Sequence, residues 1–177
     1  MGIKEQAETI TQSKRLAYLL RHSALTDSHG WIRTEVLIQQ QNFTPQELKH
    51  IVYEDHKGRF EFSEDGLLVR ALYGHSTNVD LGLIPTVPPT TLYHGTADKY
   101  LDCIIQEGIK SRKRDYVHLS ETIDVAKQVG ARHGNSIVLS IDTKSMIEDG
   151  WKFYKAKRSV WLVKYIPPQF IKTNNYE

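Results

Sequence analysis

The stretch Leu81-Gly82-Leu83-Ile84-Pro85-Thr86-Val87-Pro88-Pro89-Thr90-Thr91 divides this chain in two. Three prolines without backbone N–H groups, one glycine and almost no charge make residues 81–91 a linker rather than a helix or an inner strand. Residues 1–80 then form one lobe and residues 92–177 another.

Upstream of the linker, Leu16, Leu19 and Leu20 recur at helical spacing, which predicts a helix capped by Ser13 and ending near Ser23. Lys14, Arg15, Tyr18, Arg21 and His22 occupy its other side, with Arg21-His22 in the last turn, where cations suit the helix dipole. Gly30-Trp31-Ile32 reads as a short strand, and Thr34 opens a second helix. Thr44-Pro45-Gln46-Glu47 predicts a third: Thr44 caps, Pro45 fits the first helical position and Glu47 closes a capping box. Arg59–Ser63 and Leu67–Ala71 flank Glu64-Asp65-Gly66 and form a hairpin. Three helices and a two-stranded wing are the pattern of a winged helix, a fold that often meets nucleic acid without by itself assigning a function.

Downstream, Thr91-Leu92-Tyr93 predicts a strand that delivers His94-Gly95-Thr96 to a strand–loop junction. A helix follows over about Asp98 to Gln106, with Leu101, Ile104 and Ile105 inward, Gly108 as its stop and Cys103 as a small core residue. Val117-His118-Leu119 is a short strand, after which Ser120 caps a helix to about Val129. Gly130-Ala131-Arg132-His133-Gly134 leads into a strand over Ser136–Ile141. Val160 to Ile166 reads as one last long strand, closed by Pro167-Pro168. Strands outnumber helices, so this lobe is expected to be a mixed sheet and the whole chain α+β.

The composition suits a globular protein: 177 residues, 40% hydrophobic and 25% charged. No run approaches the ~20 apolar residues of a membrane helix, and no secretory signal is visible in Met1 to Lys14. A cytoplasmic monomer is the expectation. The single cysteine, Cys103, excludes an internal disulfide and a cysteine-rich zinc site. Net charge is +2, but residues 1–80 carry 9 basic and 11 acidic side chains against 14 and 10 in residues 81–177. A polyanionic partner is permitted, not required.

The eight histidines contain no i, i+4 pair and no supporting carboxylate cluster, so no metal is expected. A nucleophile elbow, a Rossmann fingerprint and a P-loop are all absent. What remains is cations beside histidines: Arg21-His22, Arg70 with Gly74-His75-Ser76 beyond it, and Arg132 in a Gly-flanked turn. Guanidinium forks grip phosphate and stabilise charge as it develops in phosphoryl transfer.

With these residues assembled, the chain resembles the RNA (tRNA) 2′-phosphotransferases of the KptA type from about Ser13 to Ile171. The resemblance is carried by Leu20-Arg21-His22, Gly30-Trp31, Lys57-Gly58-Arg59-Phe60, Arg70-Ala71, Gly74-His75-Ser76 and Leu92-Tyr93-His94-Gly95-Thr96. It continues through Val117-His118-Leu119-Ser120, Val129–Gly134, Phe153-Tyr154 and Val160-Trp161-Leu162. It implies an N-terminal winged-helix lobe and a C-terminal ADP-ribosyltransferase-like lobe that takes NAD⁺ as a consumed co-substrate. It also implies an RNA substrate bearing an internal 2′-phosphate, as in spliced tRNA, and tRNA processing as the setting.

In the implied reaction the RNA 2′-phosphate attacks the nicotinamide ribose carbon and expels nicotinamide. A neighbouring ribose hydroxyl then attacks phosphorus, releasing 2′-OH RNA and ADP-ribose 1″,2″-cyclic phosphate. By the same resemblance Arg21, His22, Arg70 and Arg132 serve the phosphate, with His22 suited to proton transfer because its pKa lies near working pH. His94, Gly95, Thr96, His118, Ser120, Gly130 and Val160 would bind the dinucleotide, and Gly74, His75 and Ser76 the RNA.

The chain departs from the family pattern at Tyr73, where Gln is usual, at Tyr116, where His is usual, and at Ala156-Lys157-Arg158-Ser159 before Val160. Two rivals use the same residues differently. His94-x-Thr96 and His118-x-Ser120 look like the paired motifs of an NAD⁺-independent two-histidine phosphoesterase, a scheme that leaves the arginines unexplained. The other enzymatic rival is ADP-ribosylation of nucleic-acid phosphate ends. A non-catalytic nucleic-acid-binding winged-helix protein is a third possibility, weakened by the acidic balance of residues 1–80.

Overall fold

The computed structural model describes residues 3–112, 114–156 and 160–173, with side chains from residue 8 onward. The chain separates into two units, Met1–Gly82 and Leu83–Glu177.

The first unit begins with α1 (Ile3–His22), a helix of 20 residues. Ser13 therefore lies inside the helix and does not cap it. Lys4, Glu5, Gln6, Ala7, Glu8 and Gln12 before it are good helix formers and residues 3–12 contain no Pro or Gly, so the helix extends well upstream. The Ser13 hydroxyl instead accepts a bond from Arg59 Nη2 at 2.8 Å, while the Arg59 Nε donates to buried Asp55 at 2.9 Å. After β1 (Trp31–Arg33) come α2 (Thr34–Gln41) and α3 (Pro45–Tyr53). The capping box of α3 is complete: Thr44 Oγ accepts from the Glu47 N–H at 3.1 Å, and the Glu47 carboxylate accepts from the Thr44 N–H at 2.7 Å. The hairpin is β2 (Phe60–Phe62) and β3 (Leu68–Ala71), and β1 pairs antiparallel on its far side to give the order β1-β3-β2. Leu16 and Leu20 of α1, Leu37 of α2, Leu48 and Ile51 of α3, and Val69 of β3 close one core.

The second unit is a six-stranded sheet in the order β11-β7-β4-β6-β9-β8, antiparallel in every pair and not the mixed sheet expected, with a separate two-stranded ladder. Its strands are β4 (Thr91–Ala97), β5 (Ile109–Lys110), β6 (Val117–Ser120), β7 (Ser136–Asp142), β8 (Tyr154–Lys155), β9 (Val160–Val163), β10 (Tyr165–Ile166) and β11 (Ile171–Thr173). The helices are α4 (Leu101–Glu107), α5 (Ile123–Gly130) and α6 (Thr143–Glu148). Residues 83–91 are tied to this unit: the Thr86 N–H donates to the Phe153 carbonyl at 2.8 Å, and the Thr143 hydroxyl donates to the Pro89 carbonyl.

Several expectations for this half are corrected. β4 continues through His94-Gly95-Thr96 because β7 pairs with it along its whole length, so these residues lie inside a strand and not at a junction. Helix α4 is preceded by a 3₁₀ turn at Asp98–Tyr100 and is short, so Ile104 faces the core while Ile105, one residue on, is 51% exposed. Cys103 is likewise exposed. Ser120 ends β6, and the cap of α5 is Thr122, whose hydroxyl accepts from the Val125 N–H. The last long strand breaks at Lys164: β6 offers β9 no partner beyond Val117↔Val163, so Tyr165–Ile166 turn to β5. Helix α6 and strand β11 are further elements of this unit. The departures Arg158 and Ser159 lie outside the described residues.

Candidate functional site

In the first unit the end of α1, the middle of β3 and the loop after it converge. Trp31, Arg70 and Glu61 are cross-strand neighbours in β1, β3 and β2. In that row the Arg70 guanidinium lies over the Trp31 ring, 4.4 Å from its centroid, and its Nε and Nη2 reach Glu61 Oε1 at 2.7 and 2.6 Å. A guanidinium gripped from one side and stacked on the other has little rotational freedom left.

The loop after β3 then folds over the end of α1. The Ser76 N–H donates to the Arg21 carbonyl at 3.1 Å, and Ser76 Oγ shares a 2.8 Å hydrogen bond with His22 Nδ1. Gly74 has φ +87°, and a Cβ there would stand 3.3 Å from the Arg21 guanidinium carbon. Only glycine combines that conformation with so close an approach. His75 is 2% exposed, and neither ring nitrogen has a hydrogen-bond partner among the described residues. Burial, reinforced by Arg21, His22 and Arg70, pulls its pKa down to about 4. A neutral imidazole thus lies near Arg21, His22 and Arg70. Arg21, His22, Arg70, Gly74, His75 and Ser76, predicted from separate motifs, form one cluster.

In the second unit β4 and β6 pair only at Tyr93↔Ser120 among the described residues. Continued in register, Gly95 would oppose His118. Instead the His94 imidazole reaches across, its Nδ1–H donating to the His118 carbonyl at 3.1 Å. That bond fixes the tautomer and leaves Nε2 with a lone pair. Burial lowers the His94 pKa; the bond to the His118 carbonyl works against this, and nearby His133 adds to the lowering. The Arg114 guanidinium, a donor only, approaches the His118 Nδ1 at 3.5 Å.

Gly95 and Gly130 serve packing. A Cβ on Gly95 would fall inside the Ala126 carbonyl of α5, and one on Gly130 inside the Thr96 backbone and the Ser136 hydroxyl. These contacts press α5 onto β4 and set the exposed turn that carries Arg132 and His133, where Arg132 N–H donates to the Val129 carbonyl at 3.3 Å. His118 and Ser120 alternate along β6 opposite Leu162 and Val160 of β9, so all four share one face of the sheet. Thr96 and Ser120 are buried. Among the described residues no group of three or more His, Cys, Asp or Glu could hold a metal ion, and no helix is long and apolar enough to cross a membrane.

Sequence reasoning missed Glu61, Arg114 and His133. A hairpin turning at Asp65-Gly66 sets position 61 opposite 70, so Glu61 was within reach of pattern alone. The other two depend on how loops return to the sheet, which no local pattern records.

Two arginines and a histidine gathered around a neutral histidine mark the first unit of this α+β protein. Residues 7–165 match the family model described as RNA 2′-phosphotransferase, Tpt1 / KptA family. The chain is 43% identical over 168 residues to a protein of Fusobacterium nucleatum subsp. nucleatum named probable RNA 2′-phosphotransferase, an alignment covering 89% of this chain and 94% of that one. A protein of the same name from Pectobacterium atrosepticum is 42% identical over 170 residues, covering 90% and 94%. One from Acaryochloris marina is 40% identical over 168 residues, covering 89% and 93%. The chain belongs to the RNA 2′-phosphotransferase family.

Proposed function

We propose that this protein removes an internal 2′-phosphate from RNA by transferring it to NAD⁺, a co-substrate consumed in the reaction. Its first unit would be a winged-helix lobe and its second an ADP-ribosyltransferase-like lobe. The observation that carries the proposal is the gathering of Arg21, His22 and Arg70 over neutral His75 in a chain of this family.

The second unit's donor set fits a dinucleotide. His94 Nε2 is an acceptor for a ribose hydroxyl, and the main chain of β4 is unpaired with β6 beside Gly95, where an amide would find backbone partners. Thr96, His118, Ser120, Gly130 and Val160 would complete the dinucleotide-binding set.

The first step breaks the bond from ribose carbon to nicotinamide nitrogen, which leaves with the electron pair, and forms a bond to a 2′-phosphate oxygen. A neutral leaving group asks mainly for orientation. The second step builds charge on a phosphodiester: a ribose hydroxyl attacks phosphorus, loses its proton, and the RNA 2′-oxygen departs with one. Arg21, Arg70 and Arg132 neutralise that charge, each contact worth roughly 3 kcal/mol. His22, held by Ser76, moves the proton. Gly74, His75 and Ser76 shape the loop against which the RNA phosphate rests. An internally 2′-phosphorylated RNA, such as spliced tRNA in the cytoplasm, is the proposed substrate.

The test is incubation with a 2′-phosphorylated oligonucleotide, with and without NAD⁺. Dephosphorylation with release of nicotinamide, only when NAD⁺ is present, is the expected outcome. Phosphate loss that proceeds equally without NAD⁺ overturns the proposal and favours a two-histidine phosphoesterase.

A further inference from the structure

Tyr73 is the position where this chain departs from the usual glutamine, and the structure shows what the tyrosine does there. The Arg21 guanidinium carbon lies 5.2 Å from the Tyr73 ring centroid. The ring is itself anchored, its hydroxyl donating to the Lys57 carbonyl at 3.1 Å, across the loop from α3 to β2. Next in sequence, the Cα of Gly74 brings the backbone against the same guanidinium, and Ser76 N–H holds the Arg21 carbonyl. Arg21 ends a helix, where its backbone is fixed but a long side chain keeps several rotatable bonds. Ring and glycine together confine its head.

We propose that Tyr73 is a positioning residue for Arg21: its ring, tied to the Lys57 carbonyl, holds the guanidinium where the 2′-phosphate of the RNA is received. This inference rests on the proposed phosphotransfer activity and adds a residue to it. An aromatic ring attracts a guanidinium without using its N–H donors, so it orients the group and leaves those donors for other partners. A carboxylate in that place, such as Glu61 provides for Arg70, would compete with a phosphate for the same N–H groups.

Three variants test it: Tyr73→Phe keeps the ring and loses the anchor, Tyr73→Ala loses both, and Tyr73→Trp keeps a larger face. The first readout is the Arg21 Nε–H resonance in the ¹⁵N–¹H spectrum, shifted by the ring current in the parent and in Tyr73→Phe and relaxed in Tyr73→Ala. The second is calorimetric binding of a 2′-phosphorylated oligonucleotide against its unphosphorylated twin. Tyr73→Ala is expected to lose about tenfold of the preference for the phosphorylated form. Tyr73→Phe and Tyr73→Trp should retain most of it, and the melting temperature should hold in all three. The proposal is overturned if Tyr73→Ala keeps the full preference, or if Tyr73→Phe falls as far as Tyr73→Ala. It is overturned equally if the Arg21 resonance is the same in parent and Tyr73→Ala. A parent protein with no preference for the phosphorylated oligonucleotide, but with the ring-current shift present, overturns the proposed function and this inference with it. A parent that prefers the phosphorylated oligonucleotide, with Tyr73→Ala keeping that preference, overturns the inference alone and leaves the proposed function standing.

Discussion

Arg70 and Glu61 face each other across the β2–β3 hairpin, and the guanidinium bonds a single carboxylate oxygen twice, through Nε at 2.7 Å and Nη2 at 2.6 Å. Lysine keeps the charge but not the fork. Arg70→Lys should therefore lower turnover of a 2′-phosphorylated RNA by about a hundredfold, while Glu61→Gln, which keeps one acceptor, should cost much less. Steady-state rates for the two variants decide it; a lysine variant close to the parent would show that orientation at this position is unimportant.

Arg132 stands on the exposed turn after α5 and is assigned to the charged second step. Arg132→Ala should let nicotinamide leave and then stall, so a 2′-phospho-ADP-ribosylated RNA accumulates on a gel. Turnover equal to the parent's, without that species, would remove Arg132 from the phosphate set.

Gly95 is a packing residue by geometry. Gly95→Ala pushes a methyl into the Ala126 carbonyl, backbone that cannot turn aside. A loss of about 3 kcal/mol is expected, seen as a lower melting temperature, with a matching loss for Gly130→Ala. Melting with the parent would mean that α5 is free to lift from β4.

His75 gives the stability a pH dependence of definite sign. Its pKa, normally 6.5, is about 4 in the folded protein. Between those values the unfolded chain takes up a proton that the native state refuses, so this contribution is complete above pH 6.5 and drains away as pH falls towards 4. The window is worth up to about 3 kcal/mol. Urea titrations across it should slope less in His75→Gln than in the parent, and parallel slopes would refute the assignment.

His94 presents one lone pair because its Nδ1–H is committed to the His118 carbonyl. His94→Ala should raise the KM for NAD⁺ by about tenfold, leaving the affinity for 2′-phosphorylated RNA as it was. An unchanged KM would place the ribose elsewhere.

How much of this was legible beforehand varies with the range of the interaction. The capping box at Thr44 and Glu47 and the hairpin about Asp65-Gly66 are local, and both formed as their residues dictate. Ser13 misled because a capping residue inside a run of good helix formers caps nothing, and Ser120 because a serine at a strand end resembles a helix start. Val160–Ile166 looked continuous because apolarity is continuous there, whereas the partner strand changes at Lys164.

The sequence by itself determined the chemistry available: arginines and histidines in ordered motifs, glycines where only glycine fits, and membership of the RNA 2′-phosphotransferase family. Tertiary structure alone decided the state of each group. Register set Arg70 between Trp31 and Glu61, burial made His75 neutral, and a gap between β4 and β6 turned His94 towards the His118 carbonyl. Orientation, charge state and tautomer depend on neighbours remote in sequence, and chain folding is what makes them neighbours.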